Sequence, residues 1–153
     1  MARSKIPKNL PLKQVKEARN RENPSDIMCL HPSWGFGRID TDGDWPFTEK
    51  EAGGVFWEML LPRLSGLERM TWGEVLIRAK KENHSVPVEQ LNPRARHRLT
   101  ELKLEMDELI SLRINGTHRL YGFLSASTFV ILWLDKNHGD NDGCVCRSRL
   151  KHT

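Results

Sequence analysis

The stretch SLRINGTHRLYGFL, residues 111–124, places basic side chains, a histidine and a tyrosine inside two short apolar runs. Asn115-Gly116 between such runs is a strong hairpin signal. A two-residue loop would put the arginines on opposite faces. A three-residue loop separates polar from apolar side chains far better, so we adopt that register. One face then carries Ser111, Arg113, Arg119 and Tyr121, and we expect a shallow cationic surface with an aromatic hydroxyl. A solvated sheet face is the alternative.

The net charge of +4 is unevenly distributed along the 153 residues. Residues 1–23 hold seven basic side chains against two acidic ones, and residues 136–153 hold four against two. The middle of the chain is net acidic, with 13 basic and 16 acidic side chains. Positive charge at both ends fits a polyanionic partner, whose phosphates it would neutralise. Solvated, disordered termini would explain the same pattern.

Two groups of possible metal ligands are present, and neither has suitable spacing. Asp40, Asp42 and Asp44 imitate a calcium loop, but Trp45 stands where that loop needs glycine. Cys144 and Cys146 lack the spacing of a zinc site. No glycine-rich phosphate loop is present either. We therefore expect no metal and no cofactor.

The elements that must position the hairpin begin with helices. Apolar spacing predicts one helix over Gly54–Leu64. Thr71 and Glu74 form a capping box for a second. Asn92 and Pro93 mark the start of a third, as N-cap and first helical residue.

Three strands follow these helices, over Leu109–Ile114, His118–Leu124 and Thr128–Leu134, and Cys144–Ser148 is expected to form a last short strand. Helices followed by an antiparallel meander predict an α+β fold, with N-terminal helices packed on a three- to five-stranded antiparallel sheet. We expect residues 1–25 to be a flexible basic arm. Residues 26–153 would form a single domain whose core spans about 71–153.

Apolar segments and cysteine content indicate the cellular compartment in which we expect the protein. No apolar run approaches the roughly 18 residues that a membrane span needs. The basic N-terminus is not followed by the apolar segment of a secretory signal. Three cysteines, two of them in a tight pair, do not form a disulfide framework. A cytoplasmic protein that does not contact membranes is the simplest expectation.

The segment LRINGTHRLYGFLSASTFVILWLDKNH resembles the C-terminal half of the RelE/ParE-like toxin superfamily. Its members share a strand, a tight turn, a strand that begins with arginine, a second turn, an apolar strand, and a short basic or histidine-containing segment. The resemblance covers roughly residues 84–153. TWGEVL, LNPRARHRL, DELISLRI, ILWLDKNH and the closing KHT resemble a bacterial group of this type with an extra N-terminal segment.

This resemblance implies a toxin of a toxin–antitoxin system that cuts messenger RNA on the ribosome without metal. In that reaction a 2′-hydroxyl attacks the adjacent phosphate while arginines stabilise the phosphorane and side chains carry protons. The implied catalytic residues are Arg119, His138 and Tyr121. The implied RNA-binding residues are Arg113, Lys136, Arg147, Arg149 and Lys151. The implied partners are a cognate antitoxin, the ribosome and mRNA.

The chain also departs from the superfamily pattern. Ile110 and Ser111 stand near the position of the paired lysines of the RelE branch, and no tyrosine follows His138. One branch of the superfamily inhibits DNA gyrase without cutting RNA. A gyrase inhibitor, or a non-catalytic binding module with the same fold, is therefore the competing expectation.

Overall fold

The computed structural model describes residues 24–140 and 142–146. Most of the predicted basic arm and the end of the predicted last strand lie outside these ranges. The helices are α1 (Pro24–Ile27), α2 (Glu49–Val55), α3 (Leu61–Leu67) and α4 (Pro93–Glu101). π-Helical turns span Phe56–Leu60 and Glu74–Arg78, and a 3₁₀ turn spans Val88–Gln90. The strands are β1 (Ser33–Gly35), β2 (His84–Pro87), β3 (Glu108–Arg113), β4 (Arg119–Ser125) and β5 (Thr128–Asp135).

The strands form one five-stranded sheet in the order β1-β5-β4-β3-β2. The α+β class and the antiparallel β3-β4-β5 meander are confirmed. The expectation of a purely antiparallel sheet was wrong at one edge, because β1 runs parallel to β5. Neither edge strand was predicted: β1 and β2 are only three and four residues long, too short for a clear alternating pattern.

Helix starts follow the local sequence rules closely. Thr71 Oγ1 accepts a hydrogen bond from the Glu74 N–H at 3.2 Å, and Glu74 accepts one from the Thr71 N–H at 3.0 Å. Asn92 accepts a hydrogen bond from the Arg94 N–H at 2.9 Å, and Pro93 is the first residue of α4. The helical segment that contains residues 54–64 starts earlier than predicted. Helical structure begins at Glu49, where Thr48 is the N-cap.

The hairpin has the three-residue loop and the register that the sequence favoured. Arg113 pairs with Arg119, and Ser111 pairs with Tyr121. Asn115 closes the turn, because its side chain accepts hydrogen bonds from the N–H groups of Thr117 and His118 at 2.9 and 2.7 Å. The pairing of β4 with β5 has a register shift at Tyr121 and Gly122.

The core lies on both faces of the sheet. On one face, α2, α3 and the Glu74–Arg78 turn pack on side chains such as Leu112, Leu120 and Ile131. On the other face, α4 packs through Ala95 and Leu99 on a cluster that includes Tyr121 and Trp133. The prediction that β5 is central and covered is confirmed. The prediction of an open polar hairpin face was wrong over its inner part, because α4 covers it.

Candidate functional site

Three segments meet at the open end of the hairpin: the turn at residues 115–118, the end of β5, and residues 136–146. The His138 N–H donates to the Thr117 carbonyl at 3.0 Å, which ties the segment after β5 to the turn. We call the side chains Arg113, His118, Arg119 and His138 the hairpin-end site. Strand pairing and the His138 backbone bond place three residues that the resemblance implied at this end of the hairpin, and His118 precedes Arg119 there.

The two arginines of this site lie opposite each other on β3 and β4. Arg119 is nine-tenths buried, and its Nη1 donates to the carbonyls of Asn115, Gly116 and His118 at 2.6, 3.4 and 3.1 Å. Burial and the charge of Arg113 lower the pKa of Arg119. Arg113 is exposed. Among residues 24–140 and 142–146, no carboxylate forms an ion pair with either guanidinium, although the nearby Asp135 and Cys146 offset part of the charge of Arg119.

The two histidines occupy different surroundings. His118 is half-buried, and its Nδ1 lies 3.1 Å from both Asn115 Oδ1 and Thr117 Oγ1. Burial, with the charge of Lys136, lowers the pKa of His118, so that its neutral form is favoured near pH 7. His138 is also half-buried, and its Nδ1 lies 3.7 Å from Cys146 Sγ. Both imidazoles are of a type that can carry a proton.

Asp135 lies beneath the site and was not predicted from the sequence. It is fully buried, and its carboxylate accepts hydrogen bonds from the N–H groups of Asn137 and Val145 at 2.8 and 2.7 Å. Burial nevertheless raises the pKa of Asp135 to about 6. An aspartate that ends an apolar strand is the only signal in the sequence that could have drawn attention to it.

Tyr121, implied as a catalytic residue, is not at the surface. Its exposed fraction is 0%, and it packs in the cluster beneath α4. Among the residues that the structure describes, none is a hydrogen-bond partner of its hydroxyl, although Ser111 opposite it is close enough to influence its pKa. Burial strongly raises the pKa of Tyr121. The expected exposed aromatic hydroxyl was therefore wrong, because α4 closes this part of the face.

The basic residues implied as RNA contacts fall into three groups. Arg113 is exposed at the hairpin-end site. Lys136 turns towards α2, where its Nζ lies 2.9 Å from the Glu51 carboxylate and donates to the Glu51 carbonyl at 3.1 Å. Arg147, Arg149 and Lys151 lie outside the described residues. The prediction that Lys136 binds RNA did not take into account this ion pair with Glu51.

The possible calcium residues have a structural role. Asp40 is buried and accepts hydrogen bonds from Arg98 Nε and Nη2 at 2.9 and 2.8 Å, and from Trp133 Nε1 at 2.8 Å. Burial alone would raise the pKa of Asp40, but these donors hold it below its ordinary value. Within the described residues, no group of three or more histidine, cysteine or acidic side chains is arranged to hold a metal ion.

Comparisons with protein-family models, with curated proteins and with solved structures gave no match. In the part of the chain that the structure describes, none of the helices has both the length and the apolar composition of a membrane span.

Proposed function

We propose that this protein is a toxin of the RelE/ParE type, a metal-independent endoribonuclease that cuts mRNA on the ribosome and so inhibits translation. The observation that carries the proposal is the arginine pair of the hairpin-end site, which forms no ion pair with a described carboxylate and is accompanied by two histidines. Phosphoryl transfer without metal needs positive charge and proton carriers of this kind.

The reaction assigns a separate task to each side chain. His118, whose neutral form is favoured, takes the proton of the attacking 2′-hydroxyl. His138 donates a proton to the leaving 5′-oxygen. Arg113, which is exposed, contacts the phosphorane oxygens as their negative charge increases. Arg119 acts mainly as a positioning residue, because its guanidinium holds three carbonyls of the turn and adds positive charge behind it.

The proposed partners are the ribosome with its mRNA and a cognate antitoxin that keeps the toxin inactive, all in the cytoplasm. The net charge of +5 over residues 1–23 supports contact with ribosomal RNA or with an acidic antitoxin. Phosphate contacts release counterions, so ribosome association should weaken steeply as salt rises.

The test is expression of the full chain without a partner. We expect growth arrest, inhibited translation, and new 5′ ends within reading frames when messages are mapped by primer extension. His138→Ala should lower cleavage by about 10²–10⁴-fold, the usual contribution of a general acid or base. His97→Ala is the matched control, because His97 lies on the far side of α4 and is exposed. Intact messages in arrested cells would contradict the nuclease proposal.

A binding function is the second candidate, because Tyr121 and most of Arg119 are buried. A protein with this surface could bind RNA, or inhibit gyrase, without cutting RNA. Supercoiling assays with purified gyrase distinguish these cases: inhibited supercoiling with intact RNA would favour the gyrase inhibitor. RNA that is bound by the protein but remains uncut would favour the binding module.

A further inference from the structure

The segment at residues 142–146 brings two thiols together beside a histidine. The Sγ atoms of Cys144 and Cys146 are 2.7 Å apart, and Cys144 Sγ lies 3.0 Å from the Cys146 carbonyl. Cys146 Sγ also lies 3.7 Å from His138 Nδ1. Cys144 is fully buried, whereas Cys146 is only partly buried and can be reached from solvent.

This arrangement is held by contacts from three other parts of the fold. The Val145 N–H donates to Asp135 Oδ2 at 2.7 Å, and the Asn92 N–H donates to the Val145 carbonyl at 2.8 Å. Asn92 Nδ2 donates to the Cys144 carbonyl at 3.2 Å, and Trp45 Nε1 donates to the Gly143 carbonyl at 2.9 Å. The two thiols are therefore kept adjacent by β5, α4 and the Trp45 loop.

The surroundings of the two thiols differ in a way that separates their roles. Hydrogen bonds from Cys144 and His138 lower the pKa of Cys146, which favours its thiolate form. The same contact, together with burial, raises the pKa of Cys144. A thiolate is the nucleophilic form of cysteine, and reactive cysteines are those whose thiolate form a nearby cation or donor favours at a solvent-reachable position.

We propose that Cys146 is an oxidation site for hydroperoxides and that Cys144 is its resolving cysteine, so that the pair forms a reversible disulfide. In the first step the Cys146 sulfur attacks the peroxide, the O–O bond breaks, and a sulfenic acid forms. The leaving hydroxide or alkoxide takes a proton to become water or alcohol. In the second step the Cys144 sulfur attacks the Cys146 sulfur, the S–O bond breaks, and the thiol proton leaves with the hydroxyl group as water.

The electrons balance in this sequence. The two thiols lose two electrons to the peroxide, and a dithiol reductant returns them. Once Cys146 has become a sulfenic acid, the negative charge that disfavoured ionisation of Cys144 is gone, which assists the second step. This chemistry shares His138 with the hairpin-end site, but its readout, oxidation of the two thiols, does not depend on the proposed ribonuclease activity.

The experiment treats the reduced full chain with hydrogen peroxide and then blocks the remaining thiols with an alkylating reagent. Trypsin should release both thiols in one peptide, residues 137–147, and Cys29 in another, residues 22–38. We expect the first peptide to lose two hydrogens and escape alkylation at low peroxide. The exposed Cys29 should remain alkylated and acts as an internal control. Dithiothreitol should reverse the change.

Three variants separate the roles of the side chains. Cys144→Ser should leave a sulfenic acid at Cys146 that dimedone traps, and Cys146→Ser should leave Cys144 reduced. His138→Ala should slow oxidation of Cys146 by about tenfold, because the thiolate loses a stabilising donor. The proposal is wrong if Cys29 oxidises before the Cys144–Cys146 pair. It is also wrong if dimedone labels Cys144 in the Cys146→Ser variant as fast as it labels Cys146 in the Cys144→Ser variant.

Discussion

Arg113 and Arg119 face each other across β3 and β4 but have different surroundings. Like charges directly opposite each other in a sheet are destabilising unless other groups compensate. Three turn carbonyls compensate Arg119, whereas the Arg113 side chain is exposed to solvent. Arg113 is consequently the arginine that can meet a phosphate without disturbing the fold.

Substitution of each arginine should give a different result. Arg113→Ala should lower mRNA cleavage by about 10²-fold, the usual effect of removing a group that stabilises transition-state charge, and leave the melting temperature unchanged. Arg119→Ala should lower both cleavage and stability, the latter by about 1–3 kcal/mol, because partly buried carbonyls of the turn lose their charged donor. Cleavage assays and thermal melts measure the two effects.

Arg78→Ala is the control for these variants. Arg78 is an exposed arginine paired only with Glu74 one helical turn away, so neither cleavage nor stability should change appreciably. If Arg113→Ala cleaves as fast as Arg78→Ala, the exposed arginine has no part in the chemistry.

At the scale of elements, features that depend on neighbouring residues were predicted correctly, whereas contacts between residues distant in sequence were missed. The caps at Thr71 and Asn92 and the loop after Arg113 depend on residues within a few positions, and all were correctly predicted. The burial of Tyr121 was missed because it depends on α4 crossing the second face of the sheet. The ion pair of Lys136 with Glu51 was missed for the same reason, since Glu51 is distant in sequence.

The strand end at Asp135 predicts an unusual pH dependence of stability. The pKa of this carboxyl rises from an ordinary 3.8 to about 6 in the fold, so the folded protein holds its proton more tightly. Stability from this group is therefore fully present below pH 4 and is lost as the pH rises through 6. A shift of this size corresponds to about 3 kcal/mol.

Chemical denaturation of Asp135→Asn and the natural protein from pH 4 to 7 measures this effect. The stability difference between the two should change by about 3 kcal/mol over this range, in favour of the natural protein at low pH. Other titrating groups, such as His118, largely cancel in the difference. A difference that stays constant with pH would show that Asp135 ionises normally. Cys146→Ser is a useful companion, because the Cys146 thiolate contributes to the raised pKa.

At the scale of the whole molecule, one buried ion pair joins three parts of the fold. Asp40, in the loop after β1, accepts hydrogen bonds from Arg98 on α4 and from Trp133 on β5. Arg98→Ala leaves the Asp40 carboxylate buried without its charge partner, so the free energy of unfolding should fall by about 3–5 kcal/mol. Thermal or urea unfolding measures the loss.

Lys103→Ala is a suitable comparison for Arg98→Ala, because it removes a cationic side chain just beyond the end of α4, for which no hydrogen bond or ion pair with a described residue is seen. It should cost less than about 0.5 kcal/mol, the usual range for surface positions. Equal losses in the two variants would mean that the Asp40–Arg98 contact contributes little. The position of Lys103 has a positive φ of 59°, so glycine there would be a less informative replacement.

The basic N-terminal segment gives a further prediction at this scale. Deleting residues 1–23 removes a net charge of +5 but few large apolar side chains, so the melting temperature should be unchanged. Ribosome association should weaken, and its dependence on salt should become shallower. A full-length variant with the seven basic residues of this segment replaced by glutamine distinguishes the effect of its charge on ribosome association from the effect of its length. Unfolding of the shortened chain would show that the segment is part of the fold.

The parallel pairing of β1 with β5 has a consequence for the order of events during synthesis. Ser33 and Thr128 are neighbours in the sheet although 95 positions separate them in the chain. The apolar side chains of α2 and α3 pack on β3, β4 and β5, which emerge from the ribosome much later. Contacts of such long range slow folding, and apolar surface that waits for its partner is prone to aggregation. The nascent chain should therefore remain protease-sensitive, and dependent on chaperones, until β5 has emerged from the ribosome.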